Sequence, residues 1–153
     1  MNRTDREMSQ SYAYELLKQH QVGVLSILLP NQTPYGVPMN YGLYQQTIIM
    51  HGAPHGLKYE SLLMNPQASF TVIGNQTLLL EELSTAYSSV IAFGRVEILK
   101  DYKQKIEALK QMLDHYPLEE HIKHHALEGS LEEVAVFVFH IDSLTAKAHP
   151  SAH

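Results

Sequence analysis

The sequence contains no cysteine and no tryptophan. The first absence rules out disulfides, thiolate metal sites, iron–sulfur ligation and thiol redox chemistry together, so any electron transfer has to run through a bound cofactor. Arginine is scarce as well: Arg3, Arg6 and Arg95 are the only ones, and the formal charge is -5 with the histidines neutral. A chain of that balance lacks the basic footprint of a nucleic-acid binder, and no nucleic acid is expected as a partner. Long apolar runs are missing too, and the opening MNRTDREMSQ is charged with no apolar stretch behind it. Neither a membrane span nor a secretory signal is read, and the cytoplasm is the expected location.

What is present is a chain of 153 residues with 44% hydrophobic content, enough for one domain with its own core. Residues 1–148 are read as that domain and 149–153, with His149 and His153, as a fraying C-terminal tail. Between Gln19 and Gly94 the only Lys or Arg is Lys58. It follows Gly56 in the stretch HGAPHGLKYESLL, at what reads as the start of a helix. A lysine in a first turn opposes the helix dipole unless an anion sits beside it. A solvated surface lysine and an anion-binding lysine both fit that pattern.

Helical spacing of Tyr12, Leu16, Leu17 and His20 predicts a helix over Ser9–His20, with Thr4–Glu7 matching a capping box upstream. Strands are predicted over Val22–Leu29 and Tyr35–Tyr44, joined by the turn PNQTP, with Thr47–His51 pairing back as a third. A helix over Gly56–Met64 ends before Pro66. A strand over Gln67–Ile73 follows, then a Gly74–Ala86 loop long enough to suggest function. The longest strand is Ser88–Lys100, where Gly94 marks a bulge or close contact. Helices over Asp101–His115, with Tyr102, Ile106, Leu109 and Leu113 on one face, and Glu119–Leu127 precede a last strand, VAVFVFHI (Val134–Ile141), apolar on both faces and therefore deep in a sheet or interface. This order lacks the βαβ alternation of a parallel sheet and points to an antiparallel sheet or barrel with helices outside.

Two stretches carry possible chemistry. A helix N-terminus with a glycine for close approach, His55 as a further donor and Lys58 as a point charge makes a phosphate site. No GxGxxG or Walker pattern offers another. In YGVPMNYG (Tyr35–Gly42), Pro38 lacks an N–H and marks an edge or open stretch, where backbone groups of Val37, Met39 and Asn40 could meet the polar edge of a flavin. A plain edge strand fits equally well. His121, His124 and His125 cluster on one short helix. His121 and His125 share a face at a metal-compatible spacing, but no HExxH or third ligand accompanies them, so a solvated face is the expectation and no metal is assigned.

The segments GVLS (Gly23–Ser26), PYGVPMNY (Pro34–Tyr41), HGAPHGLK (His51–Lys58), NPQASF (Asn65–Phe70), YSSVIAFGRV (Tyr87–Val96) and LTAKA (Leu144–Ala148) are ordered and spaced as in the flavin-binding split-barrel proteins. The sequence thus resembles the family of pyridoxamine 5'-phosphate oxidase, and within it the nitroimidazole-resistance (Nim-type) flavoproteins, over about residues 3–148. The resemblance implies a mainly β fold: a six-stranded antiparallel split β-barrel with peripheral helices. It also implies a homodimer with one FMN in each of two clefts between subunits. The implied cofactor contacts are Val37, Pro38, Met39, Asn40 and Tyr41 along the ring, His51, Gly52, Ala53, Gly56 and Lys58 at the ribityl and phosphate groups, and Ser88, Ser89 and Val90 at the border. His51 would also sit near the flavin as the catalytic candidate and hydrogen-bond an acceptor.

Ala146 stands where that family has glycine before its terminal lysine, and PNQTP lacks the expected turn glycine. No Trp occurs and no Arg follows Arg95, which leaves the oxidase's substrate contacts without counterparts and argues against vitamin B6 oxidation. The expected activity is transfer of electrons from NADH or NADPH to a small acceptor such as a nitroaromatic compound. A non-catalytic flavin carrier and a haem-binding or haem-degrading barrel are the alternatives.

Overall fold

The computed structural model describes residues 2–129 and 131–150. Its elements in order are β1 (Glu7–Met8), α1 (Gln10–Gln19), β2 (Val22–Leu28), β3 (Pro34–Asn40), β4 (Gly42–Tyr44), β5 (Thr47–Gly52), α2 (Leu57–Met64), β6 (Gln67–Ile73), β7 (Thr77–Leu79), β8 (Ser84–Leu99), α3 (Tyr102–Asp114), α4 (Glu120–Ala126) and β9 (Ala135–His149). All strand pairs are antiparallel, in the order β3-β2-β6-β8-β9-β5-β4, with β1 added to β9 and β7 to β8. Six of these strands have six or more residues, and they form the expected split barrel.

The split has a local cause. The predicted Tyr35–Tyr44 strand divides at Tyr41, so that β3 pairs with β2 at one end of the sheet and β4 with β5 at the other. One short segment thereby joins both edges of the sheet, which curls without a closing ladder. The groups that a continuous ladder would satisfy are paired elsewhere. Tyr41 N–H donates to the Gln21 carbonyl at 2.9 Å. Tyr116 Oη donates to the Tyr41 carbonyl at 2.8 Å, and Tyr41 Oη donates to the Leu17 carbonyl at 2.7 Å. Leu43 N–H donates to His115 Nδ1 at 3.2 Å, and His115 Nε2 lies 2.6 Å from the His20 carbonyl. A carbonyl only accepts and an amide N–H only donates, so His115 is the neutral Nε2–H tautomer. Gly42 is required here, because a Cβ would stand 2.7 Å from the Met112 backbone.

VAVFVFHI is apolar on both faces because both are covered. Phe137 and Phe139 face the barrel interior with Leu25, Ile48, Met50 and Phe70, whereas Val136 and Val138 pack with Ile49 against Leu109 and Met112 of α3. The strand runs on through the LTAKA motif to His149, which pairs with Tyr87 in β8. His149 is therefore the last residue of a strand and not part of a frayed tail; His153 lies outside the described residues. The register slips between Phe93 and Gly94, where a Cβ on Gly94 would run into the His140 carbonyl oxygen, as the bulge expectation required.

Three local expectations are corrected. Ser9, not the Thr4–Glu7 box, caps α1 by accepting from Tyr12 N–H at 3.1 Å, and Thr4–Arg6 forms a separate 3-10 turn. The buried stripe of α3 is Ala108, Leu109 and Met112, while Tyr102 is exposed. The supposed loop after Gly74 is a hairpin arm in which β7 pairs with the start of β8 around a 3-10 turn, Leu80–Glu82. The missing glycine of the first hairpin is replaced by Gln32, which adopts φ 70.

Candidate functional site

At the split, three of the expected cofactor contacts meet. Lys58, in the first turn of α2, reaches back so that its Nζ lies 3.3 Å from Met39 Sδ on β3 and 5.3 Å from the centre of the Phe137 ring. A Cβ on Gly52, the last residue of β5, would stand 3.0 Å from that Nζ and 3.3 Å from Phe137. Glycine at 52 thus leaves the passage through which the lysine arrives. Met39 is 8% exposed and walls the other side.

Lys58 makes no ion pair among the described residues. A thioether is a weak acceptor and an aromatic face a weak attractor, so the ammonium is poorly compensated. Partial burial accordingly lowers its pKa from the ordinary 10.5. The adjoining helix start has the same polarity. Gly56 caps α2 without a side-chain hydrogen bond, at φ 95, and the first backbone bond runs from Glu60 N–H to the Gly56 carbonyl at 3.0 Å. The amides of Leu57, Lys58 and Tyr59 therefore precede the helical ladder. A lysine rooted in the same first turn as these open amides suits a dianionic group.

The other expected contacts are dispersed. Val37 is half-buried, while Pro38 and Asn40 are exposed on β3, the edge strand that Pro38 implied. Ala53 is exposed between β5 and α2. The side chains of Tyr41 and Val90 are both fully buried. Tyr41 packs edge-on against Phe70 at 5.1 Å, burial raises its pKa, and its backbone groups are already paired. Val90 lies between β6 and β9 in mid-sheet. Ser88 borders a 210 Å³ hollow under α1 with Tyr12 and His20, whereas Ser89 opens on the other face of β8 beside Lys147.

His51 and Gly52 are neighbours in sequence and point to opposite faces of β5. The His51 ring borders a 160 Å³ apolar hollow walled by Leu109, Met112, Leu127 and Val134. Its pKa is lowered from 6.5 by desolvation first and by the Lys58 charge second. The α4 histidines are solvent-facing: His121 Nδ1 lies 3.2 Å from Glu119, and His124 and His125 lie 3.8 and 3.5 Å from Glu128. Among the described residues, no helix is long and apolar enough to cross a membrane.

Residues 9–148 match the family described as pyridoxamine 5'-phosphate oxidase, and the chain belongs to that family. Among solved structures, it is similar to a candidate 5-nitroimidazole antibiotic resistance protein of Bacteroides thetaiotaomicron, at 24% identity and TM-score 0.78, covering 93% of this chain and 86% of that one. A conserved hypothetical protein of Mycobacterium tuberculosis superposes with TM-score 0.80 at 16% identity, over 100% and 94% of the two chains. An FAD-binding protein of Mesorhizobium loti does so with TM-score 0.71 at 22% identity, over 94% and 95%. At such identities the likeness establishes the fold. No curated protein matches the sequence.

Proposed function

We propose that this chain is an FMN-dependent oxidoreductase of the cytoplasm that accepts electrons from NADH or NADPH and passes them to a small acceptor such as a nitroaromatic compound. The observation that carries the reading is the Lys58 ammonium, without a carboxylate partner among the described residues, on the helix whose first amides are open. In this reading Lys58 and those amides hold the FMN phosphate, Gly52 leaves room for it, and the unpaired side of β3 from Val37 to Asn40 meets the ring. The bound flavin supplies the redox chemistry; the chain positions it and shields one face from water.

Self-association is part of the proposal. The outward row Pro38, Val24, Thr71, Ile91 and Thr145 runs in register across five strands and carries no charge. Val22, Ile73 and Phe93 around it are 56%, 56% and 52% exposed. An apolar centre of this kind with Lys147 and Arg95 toward its margin has the composition of a homodimer interface.

The test is the visible spectrum of the purified protein, followed by NADH and NADPH oxidation with a nitroimidazole and a quinone. A yellow protein that releases FMN and turns over is expected. A yellow protein without turnover would make it a flavin carrier, and a colourless protein that never binds FMN would refute the reading.

A further inference from the structure

The arm formed by β7, the Leu80–Glu82 turn and the start of β8 exposes three leucines that no described residue covers. Leu78, Leu80 and Leu83 are 69%, 76% and 94% exposed. Leu83 also takes a left-handed conformation, φ 48, which is uncommon for a residue with a bulky side chain and would suit glycine or asparagine better. The fold of one chain gives no reason for leucine there. Leu78 pairs with Thr85, and Thr85, Tyr87, Ser89, Ile91 and Phe93 alternate onto one face of β8. The arm thus continues the outer sheet face beyond the barrel.

Charge divides along the same feature. Glu81 and Glu82 at the tip make no ion pair among the described residues. At the base, the Arg6 guanidinium and the Lys147 ammonium flank the Tyr87 ring at 5.9 and 5.7 Å. Arg6 Nη1 donates to Tyr87 Oη at 3.3 Å, its Nε is buried without a partner among the described residues, and neither cation meets a carboxylate among them. Arg3 is already held by Asp5 through bonds of 2.9 and 2.8 Å and contributes no spare charge. Beside Lys147 a groove of about 290 Å³ has Ile91 and Phe93 in its wall.

We infer that the arm is a docking element for a second copy of this chain: Leu80 and Leu83 seat against Ile91 and Phe93 of the second copy, and Glu81 and Glu82 pair with its Lys147 and Arg6. A twofold axis makes the contact reciprocal, so each arm tip finds the other arm's base. The inference rests on the self-association proposed above.

The test is sedimentation velocity over a dilution series. The wild type should dimerise, Glu81→Lys with Glu82→Lys should weaken the dimer about tenfold through like-charge contact with Lys147, and Lys147→Glu alone should weaken it similarly. Combining all three should restore most of the lost affinity. Leu80→Ser with Leu83→Ser should weaken the dimer without lowering the unfolding midpoint of the monomer, because both side chains are exposed in it. A dimer whose dissociation constant is indifferent to every one of these changes overturns the docking inference and leaves the self-association reading intact. A wild type that stays monomeric at all concentrations overturns both.

Discussion

The two faces of β5 differ more than two neighbouring residues usually do. Gly52 opens onto the split, where an uncompensated ammonium, a buried thioether and a helix start converge. His51 opens onto an apolar hollow beside α3 with its ring pushed toward the neutral form. A stretch that reads as one site in sequence is therefore two environments, one suited to an anion and one apolar. Changes on the two faces should therefore separate cleanly.

The largest effect is expected from Lys58→Ala, which should weaken FMN binding by about 1.5 to 3 kcal/mol, the range for a hydrogen bond to a charged group. Because burial lowers its pKa, FMN affinity of the wild type should fall with rising pH before the ordinary lysine range near 10.5 is reached. Fluorescence titration of FMN at several pH values checks both points. Next is Gly56→Ala: space is open around that Cα, but φ 95 strains any side chain. A loss of about 1 to 2 kcal/mol in urea unfolding is expected from backbone strain alone.

Gly52→Ala should cost less. The new Cβ would press on the far end of a flexible lysine, so FMN affinity should fall by about 1 kcal/mol, with a smaller loss in apo stability. The smallest change in FMN affinity belongs to His51→Ala, below about 0.5 kcal/mol, since it removes nothing from the Lys58 face. Its signature is elsewhere. A histidine whose folded pKa lies below 6.5 contributes stability above that pH and loses it as pH falls through the folded value. Stability of His51→Ala should therefore depend less on pH below 6.5 than that of the wild type. Urea unfolding at several pH values checks this, and the same pH profile in both proteins would contradict it.

Much of this was legible in the residues. The sheet strands, the edge position of Pro38, the bulge at Gly94 and the two-sided burial of VAVFVFHI follow from period, proline chemistry and apolar pattern. The isolation of Lys58 was visible as a count. The break at Tyr41 was not, because it depends on hydrogen bonds from Gln21, Tyr116 and His115, residues distant in sequence. The same long-range pairing puts the Tyr41 side chain in the core and makes a strand of LTAKA. The arm was hidden for a different reason: three exposed leucines read as ordinary apolar residues until the fold leaves them uncovered.

The most direct measurement is the difference in affinity between FMN and riboflavin, which lacks the phosphate, in wild type and Lys58→Ala. A clear preference for FMN that largely disappears in the variant is expected if Lys58 holds the phosphate at the split. An FMN preference of the same size in both proteins would contradict it.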